Sequence, residues 1–198
     1  MSVNQNISLK MASSTSCASK TTQISSTNAA RIVRCPTEPI ERLRHLNEAE
    51  IMTLFTPFVP HPPSTTLVKD VDPFEPLGRA LPRQVRHVPY RFDYGMTEMH
   101  VDFLPASGAV VIVICATTNV INHHEQAFER QLKFARDTSK KIVHNNTIAN
   151  IPTILLLVDD DATAQGYVNA VDSFPAVVAV SDYTTVALMN AVRVLFGN

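Results

Sequence analysis

The residues of this 198-residue sequence that could take part in chemistry form three small groups of acids and histidines. One group is the triplet 159–161, which is all aspartate; a second is Ser181 with Asp182; a third is Glu98 with His100. Carboxylates and imidazoles serve as general acids and bases, and carboxylate oxygens also bind Mg²⁺ together with water. The strands and helices that position each group decide which of these roles is open to it.

The aspartate triplet follows an apolar run that is typical of a buried strand. Ligands of open α/β sheets bind at the carboxyl ends of the strands, so Asp159 and Asp160 are candidate ligands for Mg²⁺. An acidic pocket of the phospho-receiver type, however, draws its acids from two strands and a lysine from a third. Here one strand supplies Asp159, Asp160 and Asp161, and no lysine follows the last strand. A solvated turn is therefore the favoured interpretation, and a magnesium site is the alternative.

The other two groups also have structural interpretations. Asp182 or Thr184 stands where the cap of the last helix belongs, because both side chains can accept a hydrogen bond from the free N–H groups at a helix start. Glu98 and His100 are two residues apart, a spacing that does not place them on one face of a helix. A solvated or capping role is favoured for Glu98.

The paired histidines do not predict a metal site. Adjacent helical residues point about 100° apart, so His123 and His124 cannot form the i, i+4 pair that zinc favours. Asn122 and Glu125 instead predict a capping box that starts a helix. The chain has no G-x-G-x-x-G, Walker or G-x-S-x-G motif, only five glycines, and three cysteines without metal-ligand spacing. We expect no metal and no cofactor.

Apolar runs alternate with helical patterns along the chain. Strands are predicted at 31–35, 51–59, 85–90, 109–115, 152–158 and 176–180. Helices are predicted from Asp72 to Leu81, from Asn122 to Lys141, over 163–171 and from Thr184 to Phe196, with a short helix capped by Thr97 as a further option. The segment 40–50 is polar and is assigned no element. The central strands are apolar on both faces, which predicts an α/β fold: an open, mostly parallel sheet covered by helices on both faces, a flavodoxin-like three-layer sandwich.

Two regions follow from this pattern. Residues 1–28 are rich in Ser, Thr, Asn and Gln without a sustained period, which predicts a disordered or loosely ordered polar lead-in or linker. Residues 29–198 form the predicted α/β domain.

The composition is that of a globular protein with rather low charge, at 45% hydrophobic and 18% charged residues and a net charge of −1. Basic residues do not cluster among aromatics, so we expect no nucleic-acid partner. No apolar run approaches the ~20 residues that span a bilayer, and no secretory signal is evident. We therefore expect a cytoplasmic protein with no membrane partner. The low charge favours a surface that a partner or a second domain covers.

Five segments, in order and spacing, resemble one known family. They are Asp72-Pro-Phe-Glu-Pro-Leu-Gly-Arg-Ala-Leu81, Arg86-His-Val-Pro-Tyr90, Gly95-Met-Thr-Glu-Met-His100, the strand 110–114, and the ending Ser181-Asp-Tyr-Thr-Thr185 with Val192-Arg-Val-Leu-Phe-Gly197. Together they look like the C-terminal α/β sandwich domain of family-3 glycoside hydrolases, in the β-N-acetylhexosaminidase-like subgroup. The resemblance covers residues 29–198, with 54–60 as the first sheet strand.

The resemblance implies an accessory domain and no complete active site. In that family the nucleophilic Asp lies in an N-terminal (β/α)8 barrel, and this subgroup keeps a His–Asp acid/base pair on a barrel loop. The chain is too short for such a barrel of about 250 residues, and it has no Lys-His-x-Pro-Gly-His-Gly segment. A retaining glycosidase also needs two carboxyl groups ~5–5.5 Å apart across the sugar. We expect no glycosidase activity from this chain alone.

The family also implies partners and rim residues. The partners would be a (β/α)8 barrel domain, or a barrel-bearing protein, and an N-acetylglucosamine-type sugar at the cleft they share. Glu98, His100 and Asp182 are then candidates for the rim of that cleft. Glu98 has a further reading as an acid/base, since some members use a sandwich-domain Glu. The Ser181-Asp182 pair is superficially like the Ser-Asp of the barrel nucleophile, but its place at the last helix favours a cap.

Two alternatives stay open. The chain could be a free-standing flavodoxin-like module that binds a small ligand at the strand ends near Thr117, Asp159 and Asp182. It could also be a truncated gene product without a selected role, which the sequence does not distinguish from an accessory domain.

Overall fold

The computed structural model describes residues 30–63, 65, 67–68, 70–160 and 165–197. The predicted lead-in 1–28 lies outside the described residues, as do Asp161 and Thr163. The strands of this part are β1 (Ala30–Arg34), β2 (Ile51–Pro57), β3 (Gln84–Tyr90), β4 (Ala109–Cys115), β5 (Thr153–Val158) and β6 (Val177–Val180). Its helices are α1 (Thr37–Arg44), α2 (Glu75–Ala80), α3 (Glu98–Phe103), α4 (Thr118–His123), α5 (Ala127–Val143), α6 (Gln165–Ala170) and α7 (Thr185–Phe196).

The strands form one sheet in the order β1-β6-β5-β4-β2-β3. The edge strand β1 runs antiparallel to β6, and the other neighbours are parallel. The parallel strands, counted in chain order, therefore lie in the flavodoxin-like order 2-1-3-4-5. In this order β3 lies on one side of β2 and the next strand, β4, lies on the other side. The direction of the connections therefore reverses between β2 and β4, and the gap at their carboxyl ends is the topological switch point. The predicted open, mostly parallel sheet is confirmed.

Helices cover both faces of the sheet, as the sequence predicts. On one face, α1, α2 and α7 pack against alternate strand residues such as Val111 and Val113. On the other face, α5 packs against their neighbours Val110 and Ile112, together with α3 and α6. Every residue of β4 is buried, which explains why its sequence is apolar without interruption. None of the described helices is both long and apolar enough to cross a bilayer.

The structure corrects one omission in the sequence analysis. Segment 40–50 is assigned no element from its sequence, yet it overlaps α1, which begins at Thr37. Ile40 and Leu43 are buried on one face of this helix, because residues three apart lie side by side on a helix. Two apolar residues are too few to predict a helix from periodicity. The helix is stabilised by its packing against the rest of the domain.

The predicted capping box at Asn122 is wrong. Asn122 lies inside α4, which starts after Thr117, and a separate helix α5 starts after Gln126. The start of α2 is also later than predicted, because the carboxylate of Asp72 accepts the N–H of Phe74 at 2.7 Å and closes a turn instead of capping the helix. Glu75 then becomes the first helical residue.

Helix α7 is held at its carboxyl end by α1. The guanidinium of Arg44 donates to the carbonyl of Leu195 at 2.9 Å through Nε, so it satisfies one of the carbonyls that a helix end leaves free. Gly197 follows with φ of 77°, the left-handed conformation that glycine adopts without steric cost. The predicted end of the last helix at Gly197 is confirmed.

Candidate functional site

The carboxyl ends of the parallel strands, here called the strand-end edge, are tied together by one tyrosine. The hydroxyl of Tyr183, which follows β6, donates to the carbonyl of Pro60 at 2.9 Å. Asn119 of α4 donates from its side-chain amide to that hydroxyl and to the carbonyl of His61, each at 3.0 Å. These bonds connect the segments that follow β2, β4 and β6 across the switch point of the sheet.

Tyr183 holds this position as a neutral hydrogen-bond donor. It is almost fully buried and stacks on Phe74, with ring centroids 5.7 Å apart. Burial raises the pKa of Tyr183 to about 12, so the hydroxyl keeps its proton at physiological pH. The tyrosine therefore holds its neighbours in place as a neutral hydroxyl.

On one side of Tyr183 the edge opens into a cleft of about 740 Å³, here called the histidine cleft. It lies at the switch point, where open α/β folds bind ligands, and its volume is within the ~300–1,000 Å³ of small-molecule sites. Its polar lining consists of His61, Asp70, Asp72, Arg91, Asp93, His123 and His124.

Two of the three acids in the lining of the cleft, Asp93 and Asp72, already have partners. Asp93 forms an ion pair with Arg130, and Nε2 of His124 lies 3.5 Å from Oδ1 of the same carboxylate. Asp72 accepts a backbone N–H, as described above. Among the described residues, no cluster of three or more His, Cys, Asp or Glu side chains is arranged to hold a metal ion. The cleft thus offers hydrogen-bonding groups of both signs without a metal-ligand geometry.

Large apolar side chains stand exposed around the histidine cleft. Phe58 and Tyr94 are 66% and 71% exposed. Phe58 lines the cleft directly, while the guanidinium of Arg91, which also lines it, lies 5.1 Å from the ring centre of Tyr94. Exposed apolar groups that cluster in this way mark a surface used for contact with another molecule.

On the other side of Tyr183 lies a second cavity of about 470 Å³, here called the acidic pocket. The carboxylate of Asp160 accepts the backbone N–H of Thr118 with both oxygens at 2.9 Å. Oδ1 of Asp182 accepts the backbone N–H groups of Tyr183 at 2.6 Å and Thr184 at 3.3 Å. No Lys, Arg or His of the described residues lines this pocket.

The carboxylates of the acidic pocket lie near a buried thiol. The thiol of Cys115, at the end of β4, has a pKa raised to about 12, mainly by burial, with smaller contributions from the charges of Asp160 and Asp182. The same carboxylate of Asp160 covers the first N–H of α4. A phosphate bound at this helix start would have to accept the same N–H, and the carboxylate of Asp160 already accepts it. The arrangement therefore disfavours phosphate binding here.

The structure brings some of the candidate residues together and separates others. Asp160, Asp182 and Thr117 share the acidic pocket. Asp159 is half-buried beside them, and its N–H donates to the carbonyl of Val180 at 2.9 Å. Asp182 accepts N–H groups before the last helix, and Thr184 is the N-cap by position but makes no side-chain capping bond.

Glu98 and His100 lie elsewhere, at the start of α3. Glu98 is the first residue of the helix, exposed, beside a groove formed with Asp137 and Lys140 of α5. His100 is buried, and its Nδ1 accepts the backbone N–H of Thr97 at 3.0 Å. Neither residue lines the histidine cleft or the acidic pocket.

Sequence reasoning does not find the residues that shape the edge. These are Tyr183, Asn119 and Gln131, whose side-chain amide bonds the main chain of Cys115 at the end of β4. Gln131 is the only one with a local signal: it is a polar residue on the stripe formed by Phe128, Leu132 and Ala135. A polar side chain on an apolar stripe needs a buried partner. The roles of the other two depend on strand order, which no local pattern encodes.

No protein-family model and no curated protein sequence matches this chain. Among solved structures, it is similar to a fungal multi-domain GH3 β-N-acetylglucosaminidase described with a GCN5-related glucosamine N-acetyltransferase region, at 14% identity and a TM-score of 0.56 over 86% of this chain and 17% of that one. It is also similar to a glycoside hydrolase family 3 β-N-acetylglucosaminidase from Paenibacillus sp. str. FPU-7, at 14% identity and a TM-score of 0.55 over 94% of this chain and 34% of that one.

Similarity at this level of identity concerns the fold alone. The chain spans at most about a third of the length of these two structures, so it corresponds to a part of a larger protein in each. The expected structural resemblance is confirmed: this chain has the α/β fold of a domain-sized part of family-3 β-N-acetylglucosaminidases.

Proposed function

We propose that the chain is an accessory domain of the family-3 glycoside hydrolase type, which packs against a (β/α)8 barrel and forms one side of a sugar site. By itself it has no glycosidase activity. The observation that carries this proposal is the exposed apolar rim of the histidine cleft, where Phe58 lines the cleft and Tyr94 lies against Arg91 of the lining.

The rim favours contact with a protein. Burying a side chain of this size contributes about 1.5–3 kcal/mol of favourable free energy. Two exposed aromatic side chains therefore favour binding of a protein surface that covers them. Hot spots of protein interfaces are commonly aromatic residues surrounded by polar groups. The rim has this arrangement, because Phe58 lines the cleft together with Arg91 and Asp93, and Tyr94 lies against Arg91.

The cleft also has groups suited to a sugar such as N-acetylglucosamine. Asp70 provides carboxylate oxygens that can accept hydrogen bonds from hydroxyls, while Arg91 provides donors. Among the described residues of the lining, Asp93 is paired with Arg130 and Asp72 accepts a backbone N–H, so two of the three carboxylates already have partners. This supports a binding role without catalysis.

The test combines an activity assay with a binding assay. The full chain is incubated with p-nitrophenyl-N-acetylglucosaminide, alone and with a family-3 barrel protein from the same source. We expect no cleavage by the chain alone and a measurable complex with the barrel by titration calorimetry. Phe58→Ser and Tyr94→Ser should each weaken the complex at least tenfold.

The matched controls are Val186→Ser and Met189→Ser, which remove exposed apolar side chains from α7 and should leave the affinity unchanged. The proposal is wrong if all four variants bind alike. It is also wrong if the chain alone cleaves the substrate at a rate that Glu98→Gln abolishes.

A second candidate function is a free-standing small-ligand module. The position of the histidine cleft at the switch point favours it, since open α/β folds bind small ligands there. A thermal-shift panel of neutral sugars, nucleotides and Mg²⁺ tests it, because a ligand at 100 times its Kd stabilises by about 2.7 kcal/mol. A panel without any shift contradicts this second function and leaves the first one standing.

A further inference from the structure

The groove between α3 and α5, here called the α3–α5 groove, is a surface that the proposed function does not use. It has a volume of about 560 Å³ and shares no lining residue with the histidine cleft or the acidic pocket. Met96 and Val101 form its apolar part. Next to lining residues along the two helices, Met99 is 54% exposed and Val143 is 63% exposed. Exposed apolar side chains beside an open groove favour contact with another molecule.

The two walls of the α3–α5 groove carry opposite charges without partners. Glu98 lies on the α3 side, and Lys140 and Lys141 lie on the α5 side. None of these three forms an ion pair with another residue that the structure describes. Asp137, which also lines the groove, is already paired with Lys133 at 2.6 Å. The groove therefore has one acid and two bases whose charges are available to a binding partner.

This combination of charges favours a second copy of the chain as the partner. In a twofold dimer the same patch faces itself, so a contact between residue i and residue j occurs twice. Such a patch needs apolar groups to bury and charges of both signs, because a patch of one sign repels its own copy. A nucleic acid or an anionic membrane would favour bases alone, whereas α3 presents the acids Glu98 and Asp102, both exposed.

The size of the patch predicts a weak dimer. α5 has 17 residues and α3 has six. At 1.5 Å per residue and about 10 Å across, the two helices present roughly 350 Å² per copy. Contacts that bury less than about 1,200 Å² in total belong to weak, transient complexes. Association is therefore expected to depend on protein concentration.

We propose that two copies of the chain associate through their α3–α5 grooves in a weak twofold dimer. In this dimer Glu98 of each copy contacts Lys140 and Lys141 of the other, and Met99 becomes buried. The helix dipole favours an acid at the start of α3 and bases at the end of α5, but it does not require them to line one groove. The proposal is independent of the barrel, because the rim of the histidine cleft stays free.

The experiment is sedimentation equilibrium of the full chain from about 10 µM to about 1 mM, the range in which weak complexes form. We expect the average mass to rise with concentration above the 21.8 kDa of one chain. Glu98→Lys makes both walls basic, and the double change Lys140→Glu with Lys141→Glu makes both acidic. Each should weaken the dimer at least tenfold, because every contact between the copies then joins like charges.

An equimolar mixture of these two charge variants should associate again, to within threefold of the wild type. In a twofold dimer of one variant with the other, the introduced lysine faces the introduced glutamates, and the native Lys140 and Lys141 face the native Glu98. Glu38→Lys is the matched control, since Glu38 is an exposed acid in the first turn of α1. It should leave the dimer unchanged, as should Phe58→Ser at the rim of the histidine cleft.

Three results would overturn the proposal. The first is a mass of one chain at every concentration. The second is association that the charge variants leave unchanged, or that their mixture does not restore, since either would place the contact elsewhere. The third is association that Phe58→Ser abolishes, because the rim would then be the contact. All measurements use the chain alone, so their failure is distinguishable from a failure of the proposed barrel contact.

Discussion

The side-chain amide of Gln131 bonds both polar atoms of the main chain of Cys115. Oε1 accepts the N–H of Cys115 at 2.8 Å, and Nε2 donates to its carbonyl at 2.9 Å. Gln131 is fully buried on α5, and Cys115 is the last residue of β4. The pair therefore fixes the point where the central strand ends and α4, with Asn119, begins.

We expect Gln131→Leu to destabilise the fold by about 1–3 kcal/mol, because leucine fills the space but leaves buried backbone groups without their partner. Denaturant unfolding followed by circular dichroism measures the change. Gln84→Leu, which alters an exposed glutamine at the start of β3, is the control and should stay within ±0.5 kcal/mol. Equal losses in the two variants would contradict a role for the Gln131–Cys115 bonds.

Tyr183→Phe should cost about 1 kcal/mol, because it removes one hydroxyl that both donates to Pro60 and accepts from Asn119. The ring remains and keeps its stacking on Phe74. Tyr94→Phe, at an exposed tyrosine, should be neutral. The side-chain amide protons of Asn119 should also exchange faster in Tyr183→Phe, and unchanged exchange would argue against the bridge.

His100 should make the domain sensitive to acid. Burial lowers its pKa below 6.5 in the folded protein, so the unfolded chain binds the proton first as pH falls. Stability is then complete above pH 6.5 and is lost as pH falls through 6.5 toward the folded-state pKa, with a slope of at most about 1.4 kcal/mol per pH unit.

The comparison that isolates His100 is His100→Gln. A glutamine at this position can still accept the N–H of Thr97, as in a capping box, but it does not titrate. Urea unfolding at pH 7.5, 6.5 and 5.5 should show the stability of the wild type falling relative to that of His100→Gln. Parallel curves for His100→Gln would refute the assignment.

Two glycines should respond to alanine with opposite signs. A Cβ on Gly108 would lie 2.6 Å from Cβ of Glu50, so Gly108→Ala must displace backbone and should cost about 1–3 kcal/mol. A Cβ on Gly166 in α6 would meet nothing within 4 Å, so Gly166→Ala should stabilise by up to about 1 kcal/mol. Thermal unfolding of both variants decides the signs, and a loss in both would contradict the difference in packing.

The fold could be predicted from sequence wherever burial on both faces leaves a continuous apolar run. β4 is the best example, since each of its residues is buried and its bounds are predicted without error. α1 could not be predicted in this way, because only Ile40 and Leu43 are apolar and its stability comes from the helix it packs against. The prediction of a helix start at Asn122 failed for a related reason. Asn122 and Glu125 match a capping pattern, but a helix that follows β4 already begins at Thr118.

The candidate site likewise has one part that the sequence predicts and one part that it does not. Asp160 and Asp182 follow parallel strands, so their meeting at one edge is foreseeable from the strand pattern alone. The histidine cleft is not foreseeable, because His61, Asp93 and His124 come from three separate loops. They meet only because β2 lies between β3 and β4 in the sheet, and this order is a property of the whole fold.

The bond between Arg44 and Leu195 spans 151 positions of the chain, and this matters during synthesis. At about 5–20 residues per second, the ribosome completes α7 roughly 8–30 s after α1. During that interval Ile40 and Leu43 of α1 cannot pack against α7. Helix α1 therefore reaches its final packing only after α7, the last helix, has been synthesised.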